Sequence, residues 1–188
     1  MTEAELNLLK KQMQESTNYL EFGAGASTKI AVTLKNIKII DSVESDKSFV
    51  TKNLLGNQNI TQAINENRLT FHFIDIGPFE KWSYPTDYSN KHLWPNYSLG
   101  IYNRKRDYDL VLVDGRFRVS CILNSILNTP DDSKILAHDF WNRPYYFAVL
   151  EFLEIVEKAG TLGLFEKKPN YNKLKIQELI ATYQYIPG

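Results

Sequence analysis

The chain has a single cysteine, Cys121, so no internal disulfide can form. Cys121 sits in an apolar helical run and reads as a small core residue. Charge of one sign is also missing, since 22 Lys and Arg are matched by 22 Asp and Glu. No global basic field exists to hold nucleic acid or an anionic membrane, so neither is expected as a partner. The triplet Arg104-Lys105-Arg106 reads as a solvated loop. No leader-like segment and no apolar run of membrane-spanning length shows, which makes a cytoplasmic protein the expectation. Repeats, low-complexity runs and linkers are absent, so the 188 residues read as one domain.

What is present is an alternation of short apolar strands and helical stretches. Residues 1–16 read as an amphipathic helix. Thr2 and Glu5 stand at capping-box spacing, and Leu6, Leu9 and Met13 share a face. A strand at 18–22, a helix over about 27–35 and a strand at 37–44 make a βαβ unit with parallel strands. A helix capped by Ser45 or Asp46 runs to about Leu55, and a strand follows at 69–76. The clearest strand is Tyr108–Asp114, a continuous apolar run stopped by Gly115. After it come a helix over about 117–128, a strand at 133–138, a helix over 144–158 begun by Pro144, and a strand at 161–165. A helix over about 172–184 closes the chain, with Leu174, Leu179, Ile180 and Tyr183 as its apolar set. The fold class is α/β: a three-layer α/β/α, Rossmann-like, doubly wound and mostly parallel sheet. Residues 77–107 carry Phe79, Trp82, Tyr84, Tyr88, Trp94, Tyr97 and Tyr102. That stretch is too long for a plain loop and reads as an aromatic insertion or lid, with a helix within 88–104.

The stretch Asn18–Thr28 is a strand, a Gly-x-Gly turn and a helix start. Gly23 and Gly25 let a ligand approach the backbone closely, and Ser27 or Thr28 can cap the helix. Cofactors of open α/β sheets sit beyond the end of this strand. Glu44, about twenty residues after Gly23, stands where a carboxylate can take ribose hydroxyls. Thr28 replaces the third glycine of a dinucleotide fingerprint, and a P-loop is excluded by spacing. Glu21 lies two residues before Gly23. A carboxylate there suits a cationic ligand group better than a pyrophosphate.

Glu21-Phe-Gly-Ala-Gly25 resembles motif I of class I S-adenosylmethionine-dependent methyltransferases. Val43-Glu44 resembles their ribose-binding acid, Phe73–Ile76 their adenine-contacting segment, and Tyr108–Gly115 their motif IV strand. The resemblance spans about residues 18–166. Val113–Arg118, Ala137–Phe140 and Asn142–Pro144 together look like a small methyltransferase-like family. The pattern is also faintly similar to plant glucuronoxylan methyltransferase-type domains. The resemblance implies S-adenosylmethionine as cofactor, lined by Glu21, Gly23, Ala24, Gly25, Ser27, Glu44, Asp75, Ile76 and Asp114. Catechol-type methyltransferases hold a divalent metal with two acids and an asparagine. Asp114 and Asp139 match the acids, but Phe140 stands at the asparagine, so the metal stays open.

Asp114, Arg116, Arg118, His138, Asp139 and Arg143 all fall just beyond the ends of adjacent strands, where they can converge on one pocket. Methyl transfer needs mainly positioning, which supplies on the order of 7–11 kcal/mol in the best cases. His138 or Asp139 is the candidate base, with Asp114 beside them. The arginines suit a carboxylate or phosphate on the acceptor. Each also has a structural reading: a helix cap for Asp114, a bonded core residue for His138, salt bridges for the arginines. His72 reads as a core histidine, and His92 stays open. The expected acceptor is a hydroxyl of a small molecule or carbohydrate. Rival readings are a non-catalytic binding module and a nicotinamide-dependent enzyme.

Overall fold

The computed structural model describes residues 1–188. Its centre is a seven-stranded sheet. The strands are β1 (Asn18–Phe22), β2 (Ile39–Glu44), β3 (Leu69–Phe73), β6 (Leu110–Val113), β7 (Lys134–Ala137), β8 (Leu153–Ala159) and β9 (Leu162–Lys167). A small separate hairpin holds β4 (Phe79–Glu80) and β5 (Tyr84–Pro85). The sheet order is β3-β2-β1-β6-β7-β9-β8, parallel except for β9, which runs antiparallel to both its neighbours. The chain leaves β1 toward β2 on one side and later returns to β6 on the other. The point where the order reverses lies between β1 and β6.

The central strands are apolar on both faces, as parallel strands covered by helices must be. In β6, Leu110 and Leu112 join one core, and Val111 and Val113 join the other. Helices α1 (Glu3–Glu15), α2 (Ala26–Ala31) and α4 (Gln58–Asn65) fill the first core through Leu9, Ala31 and Ile60. Helices α5 (Pro95–Leu99), α6 (Arg118–Asn128) and α7 (Lys173–Tyr183) fill the second through Tyr97, Ile122 and Ile176. Helix α3 (Lys47–Asn53) follows β2 and is capped by the Asp46 side chain. The α1 capping box forms as its spacing predicts, with Thr2 and Glu5 bonded reciprocally.

Three elements differ from the sequence reading. The expected helix over 144–158 is a 3-10 helix at Pro144–Glu151 followed by strand β8. The reason is the hairpin: β8 pairs with β9 through a two-residue turn, Gly160-Thr161, with Gly160 at φ +55°. In α7 the buried residue is Ile176, while Leu174 is exposed. Finally, Arg104-Lys105-Arg106 is not simply a solvated loop. Arg106 Nη1 lies 2.6 Å from the fully buried Asp41 carboxylate, which also binds Tyr108 and His72. His72 is thus a bonded histidine, and Arg106 neutralises a buried acid.

The segment 77–107 divides in two. Trp94, Tyr97, Ile101 and Tyr102 are buried in the second core. The β4–β5 hairpin stands out from the sheet, with Trp82 83% exposed at its tip.

Candidate functional site

A cavity of about 1130 Å³ opens at the carboxyl ends of β1, β2, β6 and β7. A single small-ligand pocket holds on the order of 300–1,000 Å³, so this cavity is slightly larger than a site for one small ligand. One half is lined by Gly23–Ser27, Glu44, Asp46, Phe49 and the β4–β5 hairpin. The other is lined by Asp114, Arg116, Arg118, His138, Asp139 and Arg143. Met1 and Leu6 of the N-terminal segment and Gly188 close its rim.

The glycine turn is shaped by backbone packing. Gly23 sits at φ +95°, and a Cβ built there would lie 2.8 Å from Cα and N of Gly115. No side chain fits at either glycine: a Cβ on Gly115 would lie 2.1 Å from the Tyr97 hydroxyl. Gly25 is different, since a Cβ there would meet nothing within 4 Å. Its open side is a smooth wall against which a ligand can lie.

The amides of this turn are already bonded. Gly23 N–H donates to Val43 O, Ala24 N–H to Glu44 Oε2 and Gly25 N–H to Thr28 Oγ1. A pyrophosphate would find none of these three free, which weighs against a dinucleotide ligand. Glu44 Oε1 also accepts from the amides of Ser45 (2.6 Å) and Asp46 (2.9 Å). Its carboxylate ties the turn after β1 to the turn after β2, and Oε2 accepts only the Ala24 hydrogen bond, with a second lone pair unused.

Glu21 lies beneath the turn, not in the cavity. It is fully buried and accepts hydroxyl hydrogen bonds from Tyr19, Ser27, Thr28 and Ser42. Burial pushes its carboxyl pKa up, against the pull of those hydroxyls. It shapes the turn from below and cannot touch a cationic ligand group. The Ser27 hydroxyl is spent on Glu21, although its residue still lines the cavity. Asp75 and Ile76 are also off the cavity wall. Asp75 binds the Gly77 amide and the Asn90 side chain, and Ile76 is buried in the second core. The strand ends at Phe73, so these two residues turn away into the insertion.

The acidic and basic residues after β6 and β7 do converge. His138 Nδ1 lies 2.9 Å from Asp114 Oδ1, and its Nε2 lies 3.5 Å from Glu5 Oε2. Burial alone would lower the His138 pKa, but its hydrogen bond to Asp114 and the charges of Asp114, Asp139 and Glu5 raise it on balance. Both ring nitrogens therefore face carboxylates and favour an imidazolium. Arg118 is buried and works inside the protein. It donates to the carbonyls of Asp114, Gly115 and His138 and lies 3.3 Å from both the Asp114 and Asp139 carboxylates. That leaves Asp114 Oδ2 and Asp139 Oδ1 without a hydrogen-bond partner. Asp139 adopts φ +53°, a left-handed conformation that Asp tolerates and that aims its side chain back at Arg118.

Asp114, His138 and Asp139 offer ligand atoms within 4.8 Å of one another. These residues fit a divalent cation poorly. The Arg118 guanidinium already sits between the two carboxylates, and a protonated imidazole is no ligand. Phe140, at the catechol-type asparagine position, is fully buried with its ring 4.7 Å from that of Phe165.

Sequence reasoning missed Glu5. It is 2% exposed and accepts from the Thr161 amide and hydroxyl, both at 2.8 Å. Its capping-box position was visible, but its second set of partners lies at the far hairpin. Phe49, Asp46 and the hairpin residues Glu80–Tyr84 were likewise not foreseen as lining. Tyr97 and Trp82 stood out only as members of an aromatic run.

No protein-family model matches the chain, and no curated protein matches it in sequence. Solved structures do. A methyltransferase-like protein from Silicibacter pomeroyi superposes with a TM-score of 0.84 at 27% identity, covering 100% of this chain and 96% of that one. A Staphylococcus aureus protein assigned as a caffeoyl-CoA O-methyltransferase gives 0.60 at 13% identity, covering 89% and 85%. The mycinamycin-pathway methyltransferase MycE, solved with Mg and S-adenosylhomocysteine, gives 0.50 at 12%, covering 92% and 54%. The last two show a shared fold; the first extends over essentially both whole chains. With its β3-β2-β1-β6-β7-β9-β8 sheet and this likeness, the chain has the Rossmann-like fold of class I methyltransferases.

Proposed function

We propose that the protein transfers a methyl group from S-adenosylmethionine to a hydroxyl of a small molecule or carbohydrate. The observation that carries this reading is the divided cavity at the β1/β6 reversal. A glycine turn with a free wall and an acid lies on one side, and two partly free carboxylates on the other. S-adenosylmethionine supplies a methyl carbon already activated by the neighbouring sulfonium.

The residues of this chain then do three things. Gly25 and Glu44 shape and orient the cofactor half, with the remaining lone pair of Glu44 Oε2 available to a ribose hydroxyl. Asp114 and Asp139 hold the acceptor hydroxyl. A free carboxylate oxygen of Asp114 or Asp139 would take the acceptor's hydroxyl proton as that oxygen is methylated. His138 is a positioning cation rather than the base, since both its nitrogens face carboxylates. Tyr97 and Gly115 keep the two halves in register through their tight contact with the Gly23 turn.

Incubation with methyl-labelled S-adenosylmethionine and a panel of hydroxylated acids, phenols and sugars tests this. Label should appear in an acceptor, and Asp139→Asn should lower kcat more than it weakens cofactor binding. Cofactor binding with no transfer to any acceptor would instead favour a non-catalytic module.

A further inference from the structure

Arg116 is the one arginine of the cavity with no carboxylate partner. Arg118 is paired with Asp114 and Asp139, and Arg143 with Asp139. The Nε of Arg116 is buried and bonded to nothing. Burial and the neighbouring charges of Arg118 and Arg143 disfavour its protonated form. An uncompensated, desolvated guanidinium is costly, and native proteins seldom keep one without a ligand to balance it.

The donors around it converge. A Cβ built on Gly188 would lie 3.9 Å from Nη1 of Arg116, 3.9 Å from Nη1 of Arg143 and 3.3 Å from the Tyr146 hydroxyl. The two guanidinium nitrogens are therefore at most twice 3.9 Å apart. A single oxyanion bridges about 8 Å through two charge-assisted bonds of about 2.8 Å. Tyr146 Oη accepts from Arg143 Nη1 at 3.0 Å and lies near the same point.

We propose that Arg116, Arg143 and Tyr146 form a subsite for a negatively charged oxyanion, a carboxylate or a phosphate, carried by the methyl acceptor. The word acceptor rests on the methyl-transfer reading above; the subsite itself does not. Arg143 shares Asp139 with Arg118, so an anion held here places the rest of the acceptor against Asp139 and Asp114. The Gly188 backbone now lies at this point, held nearby by the Pro187 carbonyl accepting from Phe117 N–H at 3.0 Å. Binding of an oxyanion there requires the Gly188 backbone to shift.

The test is calorimetric titration of the whole chain with inorganic phosphate and, separately, succinate, each with and without S-adenosylhomocysteine. At least one anion should bind at millimolar concentration, and Arg116→Gln should weaken it by about tenfold or more. Arg116→Lys, which keeps the charge but loses the fork, should fall between. Because Arg116 makes no ion pair and its buried Nε is unpaired, Arg116→Gln should melt at or above the wild-type temperature, so weaker anion binding is not a loss of folding. Preference for phosphate assigns a phosphorylated acceptor, and preference for succinate a carboxylated one. No anion binding to the wild type, or equal binding by Arg116→Gln, overturns the proposal. Anion binding without S-adenosylhomocysteine binding would keep the subsite and sink the methyl-transfer reading.

Discussion

Glu5 joins the N-terminal helix, the β8–β9 turn and His138, and its replacement by glutamine perturbs all three at once. Burial by itself would raise the Glu5 carboxyl. The Thr2 amide, the Thr161 hydroxyl and amide and the His138 charge outweigh it and bring its pKa from 4.5 down to about 2. A shift of that size is worth about 3 kcal/mol at 1.36 kcal/mol per unit. The sign follows from the folded value lying below the unfolded one. The stabilisation is fully present above pH 4.5 and is lost as pH falls toward 2, with about half gone near pH 3. Glutamine keeps one acceptor but turns an NH2 group toward donors, so Glu5→Gln should lose about 2–3 kcal/mol at pH 7. Urea unfolding of both proteins from pH 7 to pH 3 measures it. The gap between them should narrow below pH 4.5. A gap that is absent at pH 7, or constant across the range, would show that the Glu5 charge does not hold the helix down.

Gly23→Ala should cost at least about 1–2 kcal/mol from its left-handed backbone alone, plus the clash with Gly115, and lower Tm. Gly25→Ala should melt like the wild type yet weaken S-adenosylhomocysteine binding, since its Cβ enters only the cavity; unchanged affinity would move the cofactor off this turn. The raised His138 pKa predicts stability that is fully present below pH 6.5 and fades as pH rises through the folded value. Proton NMR of its ring in wild type and Glu5→Gln should show a lower pKa in the variant. Trp82 lines the cavity while exposed to solvent, so its fluorescence should change on cofactor binding and the change should vanish in Trp82→Phe.

The strands were legible where composition left no choice. Leu110–Val113 is apolar at every position, which only a strand covered on both faces requires. The stretch 144–158 misled because Tyr146, Val149 and Phe152 imitate a helical face. The β-branched Ile155 and Val156 with the Gly160-Thr161 turn were the competing signal, and the turn won. The site was legible as a set of strand ends, so Asp114, His138 and Asp139 do meet. What each residue bonds was not legible. Glu21 reads as a cofactor ligand beside Gly23, but its partner Ser42 comes from the neighbouring strand and draws it beneath the sheet edge. The Thr161 partner of Glu5 lies 156 residues away, a contact no local pattern carries. Arg118 and Arg116 look alike in sequence. Only the fold shows that one is an internal clamp and the other is unpaired.

On the proposed function, the half-cavity walled by Gly25 and Glu44 binds S-adenosylmethionine. Calorimetric titration of the folded chain with S-adenosylmethionine and S-adenosylhomocysteine tests it most directly. Both should bind at one site with a Kd on the order of 1–100 µM, within the usual range for enzyme substrates, and Glu44→Ala should weaken them by about 1–3 kcal/mol. Folded protein that binds neither compound below millimolar concentration would contradict the account.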